Sequence, residues 1–277
     1  MKIIIIGGKG LVAKNILPHL SASHEVIIAD IDEWDISDKE KGEEFLQQYL
    51  PDAVINLAAV TNVDACEDNN AGLAWKINGE APGFIAETCE KYHIKLVHLS
   101  TDYIFNGKKD TPYTEEDVPD PQSIYGMTKL AGERNVMEKN PLSLIIRAQW
   151  LYGDGGENFI TKIKKAADEK GMVEVVNDQR GMPTYAKDLA IPLKTLIENG
   201  NSGIYHIADS GSCTWFEFAR EIFSQLHMDI EVRPITSALL NRKAKRPAYS
   251  VYDCSKLQRD TGIVMRNWQE ALKEYMG

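Results

Sequence analysis

The first twenty residues constrain the fold most strongly. Four consecutive isoleucines within Lys2–Ile6 make a β-branched apolar run, which is typical of a buried parallel strand. The run leads directly into GGKGLVA at 7–13, which reads G-x-x-G-x-x-A from Gly7, and a helical pattern covers 10–20. Glycines permit a sharp turn and let the backbone approach a pyrophosphate, whose charge is favoured at a helix N-terminus. The segment predicts a dinucleotide-binding strand–turn–helix unit, with a turn that binds no ligand as the alternative.

Short apolar runs and helical patterns then alternate through the N-terminal half. The predicted strands are Lys2–Ile6, Glu25–Ala29, 52–57, 94–99 and 142–147. The predicted helices between them are 10–20, Lys39–Tyr49, 71–92 with an interruption near Gly79 and Pro82, and 123–138. Buried parallel strands joined by crossover helices define an α/β fold with a doubly wound parallel sheet of the Rossmann type.

The pattern loosens after Trp150, and we expect a smaller C-terminal α/β part that binds the substrate. Predicted helices cover 158–170, 186–198, 214–226 and 267–275, and predicted strands cover 173–176 and 203–207. We therefore divide the chain into a dinucleotide-binding Rossmann domain at 1–148 and a mainly substrate-binding domain at 149–277. Segments at about 186–207 are expected to return to the Rossmann sheet. No linker rich in Pro, Gly or Ser separates the parts, so we expect a cleft between two directly packed units.

Composition excludes several classes of protein. The 277 residues carry 31 Lys and Arg against 41 Asp and Glu, a net charge of −10, which argues against a nucleic-acid partner. No apolar run reaches the ~18 residues of a membrane helix, and the N-terminal run is too short for a signal peptide. The four cysteines are far apart, which fits a reducing cytoplasm. The six histidines form no pair at helical spacing, so we expect no metal site.

An acidic residue at the end of the second strand bears on the cofactor. Asp30 lies 23 residues after Gly7, where a carboxylate can accept hydrogen bonds from the adenosine ribose hydroxyls. Asp32 is a near neighbour that could take the same role. Either carboxylate would repel a 2′-phosphate, and no arginine lies in 29–37 to receive one. We therefore expect NADH or NADPH as cofactor, with NADH used at least as well.

Three further residues point to proton transfer. Tyr125 and Lys129 are spaced i, i+4, so their side chains lie on one face of a predicted helix. A nearby ammonium favours the phenolate and lowers the tyrosine pKa from about 10, which would allow proton exchange with a carbonyl. Thr101 follows the fourth strand and is expected to face the same cleft. The alternative is a packed tyrosine beside a solvated lysine.

These motifs together resemble the extended short-chain dehydrogenase/reductase superfamily and, within it, the dTDP-4-dehydrorhamnose reductase family. The resemblance spans essentially the whole chain. The segments that carry it are GGKGLVA at 7–13, NLAAVTNVDACE at 56–67, LSTDYIF at 99–105, YGMTKLAGE at 125–133, RAQWLYG at 147–153, DQRGMPT at 178–184 and RPAYSVYD at 246–253. Ala13 departs from the pattern, because a third glycine is often found there.

The resemblance implies hydride transfer from a reduced nicotinamide to the C4 ketone of a dTDP-linked keto-deoxysugar. Tyr125 would donate the proton, Lys129 would tune it and bind the nicotinamide ribose, and Thr101 would assist. The implied cofactor contacts are Gly7, Gly10, Leu11 and Val12 at the pyrophosphate, Asp30 at the ribose, Asp35 and Ile36 near the adenine, and Ala59, Val60, Thr61 and Leu99 along the channel, with Tyr125 and Lys129 as further contacts. The implied substrate contacts are Thr101, Asp102, Trp150, Asn158 and Arg246. Some relatives hold a metal through C-terminal glutamates at a dimer interface; here only Glu270 and Glu274 could do so, and we do not expect a metal. A homodimer is left open.

Other functions remain as alternatives. The chain could be a related sugar-nucleotide 4,6-dehydratase or epimerase, a reductase of another nucleotide-keto-sugar, or a cofactor-binding regulatory subunit without turnover. Related dehydratases place Asp-Glu after the strand-end threonine, whereas Asp102-Tyr103 follows Thr101 here. The basic residues Arg242, Lys243, Lys245 and Arg246 fit either a diphosphate clamp or a solvated loop. The aromatic stripe that contains Trp215 is expected to belong to the core.

Overall fold

The computed structural model describes residues 1–277, with twelve strands and eleven α-helices. The strands are β1 (Lys2–Ile6), β2 (Glu25–Ala29), β3 (Ala53–Asn56), β4 (Lys95–Thr101), β5 (Leu144–Ala148), β6 (Leu151–Tyr152), β7 (Met172–Val176), β8 (Arg180–Gly181), β9 (Thr184–Tyr185), β10 (Gly203–His206), β11 (Cys213–Thr214) and β12 (Glu231–Ile235). The helices are α1 (Leu11–Ser21), α2 (Lys39–Tyr49), α3 (Val63–Cys66), α4 (Ala71–Ala74), α5 (Ala81–Lys91), α6 (Ile124–Lys139), α7 (Phe159–Lys170), α8 (Ala190–Glu198), α9 (Trp215–Gln225), α10 (Ser255–Thr261) and α11 (Trp268–Met276). No helix is long and apolar enough to cross a membrane.

The central sheet has six strands in the order β2–β1–β3–β4–β5–β10, and every pairing is parallel. Successive side chains of a strand face opposite sides of the sheet, so the isoleucines of β1 are buried in two different layers. Ile3 and Ile5 pack with α1 and α8, whereas Ile4 and Ile6 pack with α2, α5 and α6. The prediction of a doubly wound parallel sheet is confirmed. The chain leaves β1 toward β2 and returns to β3 on the other side of β1. In such sheets this reversal opens a crevice at the carboxyl ends of the strands.

The interruption predicted near Gly79 and Pro82 in the helix at 71–92 is confirmed, and it takes the form of a π-helical segment. Residues Trp75–Glu80 form a π-helical segment between α4 and α5, and Pro82 stands in the first turn of α5, where its missing N–H costs no hydrogen bond. The wider π turn changes which residues face the sheet. Asn78, within this turn, is fully buried.

The C-terminal part has its own apolar core. Helices α7, α9 and α11 pack around the parallel pair β7–β12, and sequence patterns did not predict β12. The segment 186–207 does not lie in this core: α8 packs on α1, and β10 pairs with β5 in the main sheet. The division of the chain at 148 and 149 stays an interpretation, since the second part contributes to both cores.

Candidate active site

The glycine turn between β1 and α1 forms a cradle that side chains would fill. Gly7 has a φ of +77°, and a Cβ atom added there would lie 2.9 Å from the Ala58 backbone nitrogen. A Cβ on Gly8 would lie 1.9 Å from Cγ2 of Ile28. Gly10 precedes α1 without a side-chain cap, so the first amides of this eleven-residue helix have no side-chain acceptor. A close backbone approach with free helix N–H groups fits the pyrophosphate of a dinucleotide.

A cleft of about 890 Å³ runs from this turn along the carboxyl ends of the strands. It is lined by 36 residues from both parts of the chain. The site residues predicted from sequence that line it are Gly7, Gly10, Leu11, Val12, Asp30, Asp35, Ile36, Ala59, Val60, Thr61, Leu99, Thr101, Asp102, Tyr125, Lys129 and Trp150. Two predicted residues, Asn158 and Arg246, do not line it.

The structure distinguishes the two acidic residues after β2. Asp30 lines the cleft, and its carboxylate accepts hydrogen bonds from the backbone N–H groups of Lys9 and Ile31, both at 2.9 Å. Burial acts to raise the pKa of Asp30, but these hydrogen bonds and the Lys9 charge outweigh it and hold the pKa below its ordinary value. Asp32 does not line the cleft and pairs with the Lys9 ammonium. The carboxylate available to a ribose is therefore that of Asp30.

Strand β4 and helix α6 bring three polar side chains together. Thr101 ends β4, and Tyr125 and Lys129 occupy successive turns at the start of α6, whose N-terminus is capped by Ser123. A Cβ on Gly126 would lie 2.2 Å from the Tyr103 carbonyl oxygen, so glycine lets α6 approach the loop after β4. The Lys129 ammonium donates to the carbonyl oxygen of Leu99 at 2.6 Å. This bond ties the helix to the strand beside the cleft.

Burial dominates the electrostatics of these groups. It raises the pKa of Tyr125, with the Thr101 hydroxyl acting in the opposite direction. The expected lowering of the Tyr125 pKa by Lys129 is therefore not found, and the phenol is held in its neutral form. Burial also lowers the pKa of Lys129 to about 8, although the Glu133 charge acts to raise it. At neutral pH the site thus combines a protonated phenol with an ammonium.

Asp102 lies beside these residues as a buried acid. Its side chain is 2% exposed, and its Oδ2 atom has no hydrogen-bond partner. Burial raises the pKa of Asp102 to about 6, against a hydrogen bond that the Thr101 hydroxyl donates to Asp102 Oδ1 at 3.2 Å and that favours the carboxylate. A buried acceptor that lacks a partner carries a cost that a ligand hydroxyl could relieve.

Two predicted substrate contacts are not brought into the cleft. Asn158 caps α7: its side chain accepts from the backbone N–H of Ile160 at 2.9 Å and donates to the Gly153 carbonyl at 3.0 Å. Asparagine suits a helix cap and a ligand contact equally well, and here the cap uses both ends of the amide. Arg246 donates to both carboxylate oxygens of Asp64, at 3.1 and 2.8 Å, so its guanidinium already has an anionic partner.

The basic residues around Arg246 do not form a free binding site for a diphosphate, and they do not form a fully solvated loop. Lys243 pairs with Asp68, and Lys245 contacts Gln122 at 3.4 Å. Together with the Arg246–Asp64 pair, these contacts fasten the loop that follows β12 to the N-terminal domain next to α3.

Sequence reasoning missed further residues that shape the site, and two of them have a clear part in its geometry. The amide of Asn78 accepts from the Val60 N–H at 2.8 Å and donates to the Val60 carbonyl at 3.0 Å, which fixes the channel loop after β3. Its nitrogen also lies 3.4 Å from the Thr128 hydroxyl on α6. Trp215, expected in the core, lines the cleft. No local pattern separates such residues from ordinary buried ones.

The parallel sheet, the glycine cradle and the Thr101, Tyr125 and Lys129 set together define a protein of the extended short-chain dehydrogenase/reductase class. The model of the RmlD substrate binding domain family matches residues 1–277. The chain belongs to this family.

Known proteins of the same kind cover nearly the whole chain. It is 38% identical to the spore coat polysaccharide biosynthesis protein SpsK of Bacillus subtilis, over 99% of this chain and 96% of that protein. A dTDP-4-dehydrorhamnose reductase structure from Clostridium acetobutylicum superposes with a TM-score of 0.97 at 40% identity, covering 100% of this chain and 98% of that one. A dTDP-4-dehydrorhamnose reductase from Bacillus anthracis, solved in complex with NADP, superposes with a TM-score of 0.96 at 34% identity, covering 99% and 98%.

Proposed function

We propose that this chain reduces the C4 ketone of dTDP-4-dehydro-L-rhamnose to dTDP-L-rhamnose with NADH or NADPH. The observation that carries the proposal is the meeting of Thr101, Tyr125 and Lys129 in the same cleft as the glycine cradle. Relatives that bear the reductase name match over nearly their full length, which supports the same reaction here. Such a reaction would supply rhamnose for a cell-surface polysaccharide.

The cofactor is proposed to lie along the cleft from the cradle to α6. Gly7, Gly10, Leu11 and Val12 would hold its pyrophosphate, and Asp30 its adenosine ribose. The remaining contacts are proposed at Asp35 and Ile36 for the adenine and at Ala59, Val60, Thr61 and Leu99 along the channel. The Asn78 amide would keep this channel loop in place through its two hydrogen bonds to Val60.

The bound nicotinamide would supply the hydride to C4. Tyr125 is proposed to donate the proton to the C4 oxygen, for which it must be a neutral phenol; the burial that raises its pKa keeps it so. Lys129 would bind the nicotinamide ribose, with its ammonium held beside the cleft by the bond to the Leu99 carbonyl. Thr101 would hold the reacting oxygen through its hydroxyl. Asp102 and Trp150 would contact the sugar.

The dehydratase alternative is disfavoured by the residue after Asp102. Elimination at C5–C6 needs an acid and a base over the far end of the sugar, whereas a reduction needs one hydride and one proton. Burial raises the pKa of Tyr103 to about 12, so this phenol is a poor replacement for a carboxylate base. A regulatory subunit would have no need of the Thr101, Tyr125 and Lys129 set.

The proposal also gives each part of the chain a role in binding and gives the protein a location in the cell. The domain at 1–148 would hold the cofactor and the domain at 149–277 most of the sugar nucleotide. The four cysteines are free thiols, which suits the cytoplasmic location that we propose. We propose no nucleic-acid or metal partner for the chain.

The proton-donor role is tested by Tyr125→Phe. Loss of a positioned general acid should lower kcat by about 10²–10⁴ and leave cofactor affinity nearly unchanged. Tyr49→Phe is a matched control, because Tyr49 packs against Phe45 on α2 and does not line the cleft. Near-normal kcat in the purified Tyr125 variant would contradict the assignment.

A further inference from the structure

Trp150 occupies a strained backbone position at the end of β5. Its φ is +47°, in the left-handed region that residues other than glycine rarely adopt. Such conformations persist only where the surroundings enforce them. The neighbouring residue Gln149 is held by two side-chain hydrogen bonds, which fix the backbone next to Trp150. Its amide accepts from the Met182 N–H at 2.9 Å and donates to the Ser250 carbonyl at 2.7 Å.

The Trp150 indole contacts two elements of the C-terminal part and remains partly exposed to the cleft. Its ring stacks on that of Trp215, with centroids 3.5 Å apart and an angle of 8° between the planes. A Cβ on Gly181 would lie 2.5 Å from the Trp150 indole, so the backbone of β8 touches this ring. Strand β11 pairs with β8 through Cys213 and Gly181, and Trp215 follows β11 directly. The β8–β11 pairing therefore positions both groups that contact the Trp150 indole, Gly181 and Trp215.

Trp215 packs against the C-terminal core on one side and lines the cleft on the other. Phe159 packs against it with ring centroids 4.5 Å apart. Both tryptophans line the cleft that contains Thr101 and Tyr125, and both are only partly buried. The pair thus contributes an apolar surface to the cleft that also contains the reacting groups.

We propose that Trp215 is a positioning residue for the sugar ring of the substrate. It holds the Trp150 indole in the orientation against which the apolar face of a 6-deoxyhexulose packs, and it does not contact the nucleotide. This inference rests on the proposed function, because it assumes a nucleotide-linked 6-deoxysugar in the cleft. Loss of this stacked pair should therefore weaken the binding of the sugar and leave the binding of the dTDP moiety unchanged.

The test is calorimetric binding of dTDP-L-rhamnose and of dTDP alone to the full chain and its variants. Trp215→Leu should lower the affinity for dTDP-L-rhamnose ~3–10-fold, which is the contribution of one aromatic pair. The affinity for dTDP should stay within twofold of that of the unmodified chain. Trp215→Phe retains a ring and should recover most of the loss. Phe216→Leu, on the same helix but outside the cleft lining, is the matched control and should change neither affinity. Trp215→Met should behave like Trp215→Leu and serves if the leucine variant does not fold.

Two results would overturn the inference: unchanged affinity for dTDP-L-rhamnose in Trp215→Leu or Trp215→Met, or an equal loss for dTDP and dTDP-L-rhamnose. Failure of the proposed function would look different. The unmodified chain would then oxidise no NADH with the ketosugar, whereas the binding measurements would still report on Trp215, because binding needs no turnover.

Discussion

Glu133→Gln should destabilise the chain strongly, because it removes half of a buried ion pair. The Arg147 and Glu133 side chains are 2% and 4% exposed. Arg147 donates to Glu133 through Nε at 3.0 Å and through Nη2 at 2.8 Å, and the other Nη lies 3.4 Å from His206 Nε2. The glutamine leaves a buried guanidinium without its counter-charge. Breaking such a pair costs about 3–5 kcal/mol in the free energy of unfolding.

Thermal and urea unfolding measure this cost. At ~2–4 °C of melting temperature per kcal/mol, Glu133→Gln should lower Tm by about 6–20 °C. Glu138→Gln is the control on the same helix, since its side chain is 71% exposed and such changes stay within about 0.5 kcal/mol. The double variant Glu133→Met/Arg147→Met should recover much of the loss, because two apolar side chains leave no buried charge. A Tm within 2 °C of the unmodified chain for Glu133→Gln would refute this reasoning.

Two further predictions concern other carboxylates. Burial, together with the Asp188 charge, raises the pKa of Asp209 to about 8, so the fold favours its protonated form and stability falls as pH rises from about 4 toward 8. Asp209→Asn should flatten the fall in Tm between pH 5 and pH 8, and an unchanged slope would show that Asp209 is not the titrating group. Asp30→Asn should raise kcat/KM with NADPH relative to NADH, because the carboxylate that repels a 2′-phosphate is removed. The unmodified chain should use NADH at least as well as NADPH, and a strong preference for NADPH would contradict this role of Asp30.

The sheet could be predicted from sequence because buried parallel strands leave a local signal. The β-branched runs of β1 and β2 match the observed bounds, Lys2–Ile6 and Glu25–Ala29. The π-helical segment could not be predicted in this way. Its side-chain contacts are not local, because Asn78 bonds to Val60, which lies 18 residues earlier in the chain. Strand β12 was missed because Glu231–Ile235 contains a proline and is largely exposed.

The candidate site shows the same limit. Residues at strand ends and helix starts, such as Thr101 and Tyr125, could be placed in one cleft because parallel sheets bring those ends together. The position of Arg246 could not be predicted from sequence, because its partner Asp64 lies 182 residues away in the chain. Trp215 belongs to an amphipathic stripe, and sequence periodicity cannot separate a residue of the core from one that lines a cleft beside it.

The most direct test of the proposed reaction is to compare two substrates with the purified chain. With dTDP-4-dehydro-L-rhamnose, we predict that one NADH is oxidised for each sugar and that dTDP-L-rhamnose is formed. With dTDP-glucose and NAD, we predict no ketosugar. Conversion of dTDP-glucose to its 4-keto-6-deoxy product without net cofactor consumption would contradict the proposed reductase.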